Sequence, residues 1–193
     1  MKSLIAATAL ATSLASIASA GGHADIYTLD ASHSQIVFSY DHLGFSTTYG
    51  MFSGFEGQIE FDETNPEKSA VTVSMPVMSM FTGWEQRDAH FMSADFFEAD
   101  ADELVTFVST GIEVTGENAA LITGDLTLNG VTKSVVLDAT LNKADTHPMA
   151  QKPWLGFDAT TTLLRSDFGV GNFAPFVSDE VSVMISIEAQ KAE

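Results

Sequence analysis

Arg87-Asp88-Ala89-His90 puts a cation, an acid and a base within four residues, in a chain with two arginines. As chemistry, His90 would be a general base, Asp88 its orienting acid and Arg87 a clamp for an anionic group. The second arginine opens Arg165-Ser166-Asp167-Phe168-Gly169, again with an acid close by. Both arginines sit in apolar sequence surroundings, where bidentate pairing with a carboxylate would serve to pin one segment to another. The cluster therefore carries two readings. His42, Arg87, Asp88, His90, Arg165 and Asp167 form either the polar end of a binding cavity or a set of structural ion pairs.

Other chemistries are poorly served. No G-x-S-x-G occurs; Gly50-Met51-Phe52-Ser53-Gly54 has its serine one place late, in a strand pattern. His33, His42 and His90, with Asp41 and Asp88, lack the H-x-H or H-E-x-x-H spacing that marks a metal, so none is expected. The chain has no cysteine, which excludes thiol catalysis, disulfides and thiolate metal sites.

Residues 1–20 read as a secretory signal: Lys2, an apolar run from Leu4 to Leu14, then Ala18-Ser19-Ala20 as the cleavage site. The expected product is an exported, periplasmic domain over 21–193, with no later run long enough to span a membrane. Removing the signal takes away one lysine and no acid, so the formal charge of −18 becomes −19. Such a surface repels nucleic acid and anionic membranes, which excludes both as expected partners.

The elements that would position these side chains are mostly strands. Phe55, Gly57, Ile59 and Phe61 alternate with polar residues, as do Val71-x-Val73-x-Met75 and Ile122-x-Gly124-x-Leu126-x-Leu128. Val135-x-Leu137-x-Ala139-x-Leu141 and Val181-x-Val183-x-Ile185-x-Ile187 repeat the pattern. Period two marks strands with one dry and one wet face. Asn129-Gly130 signals a type I′ hairpin, and 62–68 and 142–153 read as polar connections. About eight such strands predict an all-β, eight-stranded antiparallel barrel able to hold a small ligand. Gly54, Gly57 and Gly124 fit tight bends or room for an inner occupant. One segment breaks the pattern. Thr82 to about Met92 has helical spacing with a Thr82/Glu85 capping box, and Ser93 can cap a further turn. This places a short helical insertion between strands 3 and 4, across one end of the barrel.

Phenylalanine supplies the interior: ten of the fourteen lie between Phe38 and Phe107. Rings without a polar handle suit dry surroundings. The expected cavity lining is Phe38, Phe52, Phe55, Phe61 and Phe107 from strands, with Trp84, Phe91 and Phe97 from the insertion.

Several blocks together resemble the YceI-like family. They are Tyr27-Thr28-Leu29-Asp30-Ala31-Ser32-His33-Ser34 with Phe38 and His42-Leu43-Gly44, then Gly50-Met51-Phe52 through Phe61-Asp62. Arg87-Asp88-Ala89-His90-Phe91, Asp95-Phe96-Phe97, Thr106 to Thr110, Gly124 to Lys133 and Arg165 to Gly169 follow in family order. Phe91 departs from the family's usual leucine, and Val170 from its usual methionine. The resemblance implies a lipocalin-like barrel in the periplasm that holds an isoprenoid-type chain, polyprenyl or quinone-like, with homodimers among its members. It assigns no catalytic residue and no cofactor beyond such a lipid. The leading expectation is thus a non-catalytic carrier. An enzyme acting on a lipid or quinone through His90 and Asp88 is the alternative, and an envelope interaction module the third.

Overall fold

The computed structural model describes residues 24–193; the expected signal at 1–20 lies outside the described residues. One antiparallel sheet dominates. Its strands are β1 (Asp25–Leu29), β2 (Gln35–His42), β3 (Ser46–Phe52), β4 (Glu56–Phe61) and β5 (Ala70–Pro76). After the helix α1 (Glu85–Phe91) come β6 (Leu104–Val114), β7 (Ala119–Leu128), β8 (Val131–Thr146), β9 (Pro153–Leu164) and β10 (Glu180–Lys191).

The sheet runs in the order β1-β4-β5-β6-β7-β8-β9-β10 and closes through a β1–β10 pairing, so it forms an eight-stranded barrel. β2 and β3 extend it. β1 and β2 lie end to end along β10, where Leu29 faces Ala189 and Ile36 faces Ile185. They act as one stave broken by a 3-10 turn at Ala31–His33, just as β3 and β4 form a second stave broken at 53–55. As expected, α1 lies between the third and fourth staves.

Alternation in the sequence chose the correct face. Val71, Val73 and Met75, Val135 through Leu141, and Val181 through Ile187 all point inward at every second residue. β6 holds this phase only by a register shift between Ser109 and Gly111. Before the bulge the inward residues are Val105 and Phe107; after it they are Ile112 and Val114. Burying each such large side chain contributes roughly 1.5–3 kcal/mol, and Phe55, Ile59, Leu155 and Phe168 are at most 3 % exposed.

The inner glycines make room, though for neighbouring rings rather than a guest. A Cβ on Gly124 would lie 2.3 Å from the Phe107 ring, and one on Gly50 would lie 2.2 Å from that of Phe38. Gly57 instead takes φ +146 against the β5 backbone.

Two boundaries differ from expectation. β8 runs to Thr146, so part of the 142–153 stretch read as connection is strand. Its polar composition follows from exposure on both faces, which removes the alternation signal. The helix starts at Glu85, with Trp84 at the cap and no side-chain capping bond. The Thr82 hydroxyl is engaged elsewhere.

A candidate ligand-binding cavity

The barrel encloses a cavity of about 330 Å³ that runs its length. Many inward residues, among them Phe61, Val73, Ile122, Leu137 and Phe157, are only half-buried because they face the cavity rather than a packed neighbour. The two ends differ. The loop end carries the β2–β3 turn, the 77–103 connection with α1, the β7–β8 turn and the 165–179 connection. The turn end carries the β4–β5, β6–β7 and β8–β9 turns. Exposed lining residues cluster at the turn end: Pro66, Val114, Gly116, Glu117 and Asn118. There the cavity meets solvent. At the loop end it is walled by half-buried Phe91, Phe96, Phe97 and Val177 and by buried Phe168 and Val170.

Of the aromatic residues expected to line it, Phe38, Phe52, Phe55, Phe61, Phe91, Phe97 and Phe107 do so. Trp84 does not. It caps the first turn of α1, 58 % exposed, with Arg87 stacked 5.8 Å from its ring centre. Tyr40, Phe96, Phe157 and Phe168 also line the cavity and were absent from the expected set. Tyr40 was within reach of sequence reasoning, since it continues the Ile36-x-Phe38 alternation.

The charged cluster resolves into separate networks. Arg87 meets no carboxylate: its Nε donates to Thr82 Oγ1 at 2.8 Å and its Nη2 to the Thr82 carbonyl at 2.7 Å. Asp88 Oδ1 accepts from the Thr82 backbone N–H at 2.9 Å and from the Thr82 hydroxyl. Both side chains therefore fold back on buried Thr82 and staple the insertion to the segment before it. His90 is paired with Asp95 instead of Asp88, Nε2 to Oδ2 at 2.7 Å, with both side chains about half exposed. The dyad expected of an enzyme is thus not assembled. His90 packs on Phe96 and Phe173, with ring centres 5.1 and 6.1 Å away, outside the cavity lining.

Arg165 is also free of carboxylate pairing. Nε donates to Ser178 O, Nη1 to Val170 O and Asn172 O, and Nη2 to Val177 O, at 2.8 to 3.1 Å. The planar fork fits several diverging carbonyls at once, which a lysine could not do. Burial pulls this guanidinium below its ordinary value. Arg165 touches the cavity, yet four of its five N–H donors serve backbone carbonyls. Asp167 is a surface acid 3.9 Å from Lys133, and it is Asp179 that holds Ser166, accepting from its N–H and its hydroxyl. His42 is exposed at the end of β2, where its backbone bridges Val177. Of the six candidates Arg165 alone lines the cavity.

The three histidines considered as ligands are not gathered. Among the described residues the one metal-competent grouping is Asp30, His33 and Glu188, with ligand atoms within 4.8 Å of one another. Its atoms have protein partners: His33 Nδ1 lies 2.7 Å from Asp30 Oδ2, and the Trp154 indole donates to Glu188 at 2.7 Å. Among the described residues no helix is long and apolar enough to cross a membrane.

Comparison with known proteins gives the same architecture. A UPF0312 protein of Ectopseudomonas mendocina is 40% identical over 168 residues, covering 84% of this chain and 85% of that protein. The Campylobacter jejuni YceI protein superposes with a TM-score of 0.71 at 30% identity, covering 79% of this chain and 90% of that one. A polyisoprenoid binding domain from Saccharophagus degradans shares the fold, with a TM-score of 0.67 at 14% identity over 86% of this chain and 98% of its own. The YceI-like domain description matches residues 27–189, nearly all of the barrel. With closed barrel, inserted helix and ordered motifs all in agreement, the chain belongs to the YceI-like family.

Proposed function

We propose that this protein is a non-catalytic carrier that holds a long isoprenoid-type chain, polyprenyl or quinone-like, inside the barrel. The observation that carries this is the cavity itself: an apolar tube running from Phe168 at the loop end to Asn118 at the turn end. Each buried CH₂ contributes ~0.8 kcal/mol. Several isoprene units therefore offset an association cost of roughly 4–15 kcal/mol. The polyisoprenoid binding domain of Saccharophagus degradans, which shares the fold, supports the same ligand class. The leader-like residues 1–20 support export to the periplasm, and the acidic charge of the chain suits a soluble carrier.

The polar end of the ligand belongs at the turn end. Among the described lining residues the single cation is Arg165, four of whose five donors already serve carbonyls, while Glu117 and Asp158 are acids. A neutral head such as an alcohol or quinone suits this lining better than a phosphate, whose charge would find no cation in the lining at the turn end. The enzyme alternative loses support, because His90 and Asp88 serve different partners. The test is solvent extraction of the purified protein followed by mass spectrometry, then competition between a polyprenol and its phosphate. A stoichiometric prenyl chain and preference for the alcohol are expected. An empty protein that takes up neither would end the carrier reading.

A further inference from the structure

Residues 43–55, 69–84 and 168–178 contain no Asp, Glu, Lys or Arg, in a chain with 26 acids and 8 basic residues. The fold brings parts of all three together at the loop end. Met51 and Phe81 exchange backbone hydrogen bonds of 2.9 Å, so 77–84 lies along β3. Leu43 N–H donates to the Phe176 carbonyl at 3.1 Å, which lays 172–177 against the β2–β3 turn.

All six exposed aromatics among the described residues fall in these stretches: Phe45, Tyr49, Phe81, Trp84, Phe173 and Phe176. Phe45 is 89% and Phe176 75% exposed. Leu43 and Phe173 even hold left-handed backbone, φ 60 and 68, with their side chains outside. Elsewhere the exposed large apolar residues are not aromatic and are scattered, as with Val136 and Met184 on outer strand faces and Met149 in the β8–β9 turn. Isolated ones are ordinary, whereas an aromatic group gathered on charge-free loops marks a docking face.

We propose that this loop end docks on an uncharged or zwitterionic lipid surface, its exposed aromatic side chains entering the interfacial layer. The inference rests on the carrier reading above. Two observations select a lipid surface as the occupant. The three stretches are uncharged on an acidic body, and acids beside them have partners, Asp41 the Gly44 N–H and Asp95 the His90 ring; a neutral bilayer tolerates this, while an anionic one repels the rest of the chain. The face is also continuous with the cavity wall. Exposed Phe173 lies 5.8 Å from Phe96, and Phe96 lies 5.0 Å from Phe91, between ring centres; Phe96 and Phe91 line the cavity. An apolar chain with its head at the turn end points its tail at this face, and leaves tail-first into hydrocarbon without crossing water. Phe and Trp on such a face are the residue types that sit at the headgroup level.

The test uses the purified chain with Trp154→Phe, which leaves Trp84 as its one tryptophan. With phosphatidylcholine vesicles the protein should float with the lipid and its emission should shift to the blue; phosphatidylglycerol vesicles should retain less. Phe45→Ser with Phe176→Ser should lower vesicle partitioning at least tenfold, while the melting temperature stays unchanged, since both rings are mostly in solvent. The proposal is overturned if the unsubstituted protein ignores phosphatidylcholine, or if the double variant binds as well. It is also overturned if the substitutions instead dissolve a solution dimer that never binds vesicles. Lipid content by extraction, read on the same preparations, separates the two claims. A loaded protein that ignores vesicles overturns docking alone, and an empty one that binds them overturns the carrier reading alone.

Discussion

At the turn end the chain passes from strand to strand over short polar turns, and the cavity reaches solvent between Pro66 and Asn118. At the loop end two long connections fold across the barrel. They are held by side chain to backbone bonds: Arg87 and Asp88 on Thr82, Arg165 on four carbonyls, Asn129 on the Phe168 carbonyl at 3.0 Å. Irregular backbone cannot satisfy its own carbonyls as a sheet does, so closing an end with loops demands donors from elsewhere. That is where both arginines go. The comparison teaches that the two arginines organise a wall through their donors, whereas the open end is braced by acceptors, Asp62 taking the Thr64 and Asn65 N–H groups and His147 those of Met149 and Ala150.

The largest effect that would test this contrast comes from two phenylalanines. Phe168→Ala, at 2% exposure, should cost about 3–5 kcal/mol in urea unfolding. Phe157→Ala, facing the open space and paired edge-on with Phe61, should cost only about 1–2 kcal/mol while shifting the preferred chain length of extracted lipid. Equal costs would break the contrast. Next, Arg165→Met should destabilise by about 2–4 kcal/mol, because several carbonyls lose their donors together. Arg165→Lys should rescue less than half of that loss, a result that tells fork geometry from charge. Gly124→Ala comes third, at about 1–3 kcal/mol, because the new methyl must displace the Phe107 ring toward the cavity. Ligand uptake should fall with it, which places the narrow point midway between the ends.

The smallest effect belongs to neither end. Asp30 raises the His33 value above its ordinary 6.5 by accepting its hydrogen bond, and that bond lowers Asp30 below 3.8. His33 therefore stabilises fully below 6.5 and loses its contribution as pH rises through the raised value. Asp30 contributes above 3.8 and loses its share as pH falls through the lowered one. Melting temperatures should be slightly lower at pH 8 than at pH 5.5, and His33→Asn should remove that difference.

Much of the barrel was legible because period-two alternation encodes a face directly: Val135 through Leu141 could be assigned without knowing any partner. The closure was harder to read. Thr82 and Glu85 match a capping box, yet the Thr82 hydroxyl binds Asp88, a choice made by the approach of α1 and invisible to local spacing. The arginines drew attention as scarce cations, but carbonyls leave no trace in composition, so a carboxylate partner was the natural expectation. Trp84 looked like an inner residue by type; the cap position of a short helix turned it outward. Phe96 and Phe168 sit in turns, where no periodicity reports orientation.

The register shift at Ser109–Gly111 works as a parity counter for β6. It lets one strand spend an extra residue, so Ile112 and Val114 stay inside and Glu113 outside. Were Thr110 instead paired with Thr123 in an uninterrupted ladder, the far half of the strand would rotate by one step, turning Glu113 toward the apolar tube near its mouth. For this barrel, then, register at that point is as much a part of the lining as the side chains are.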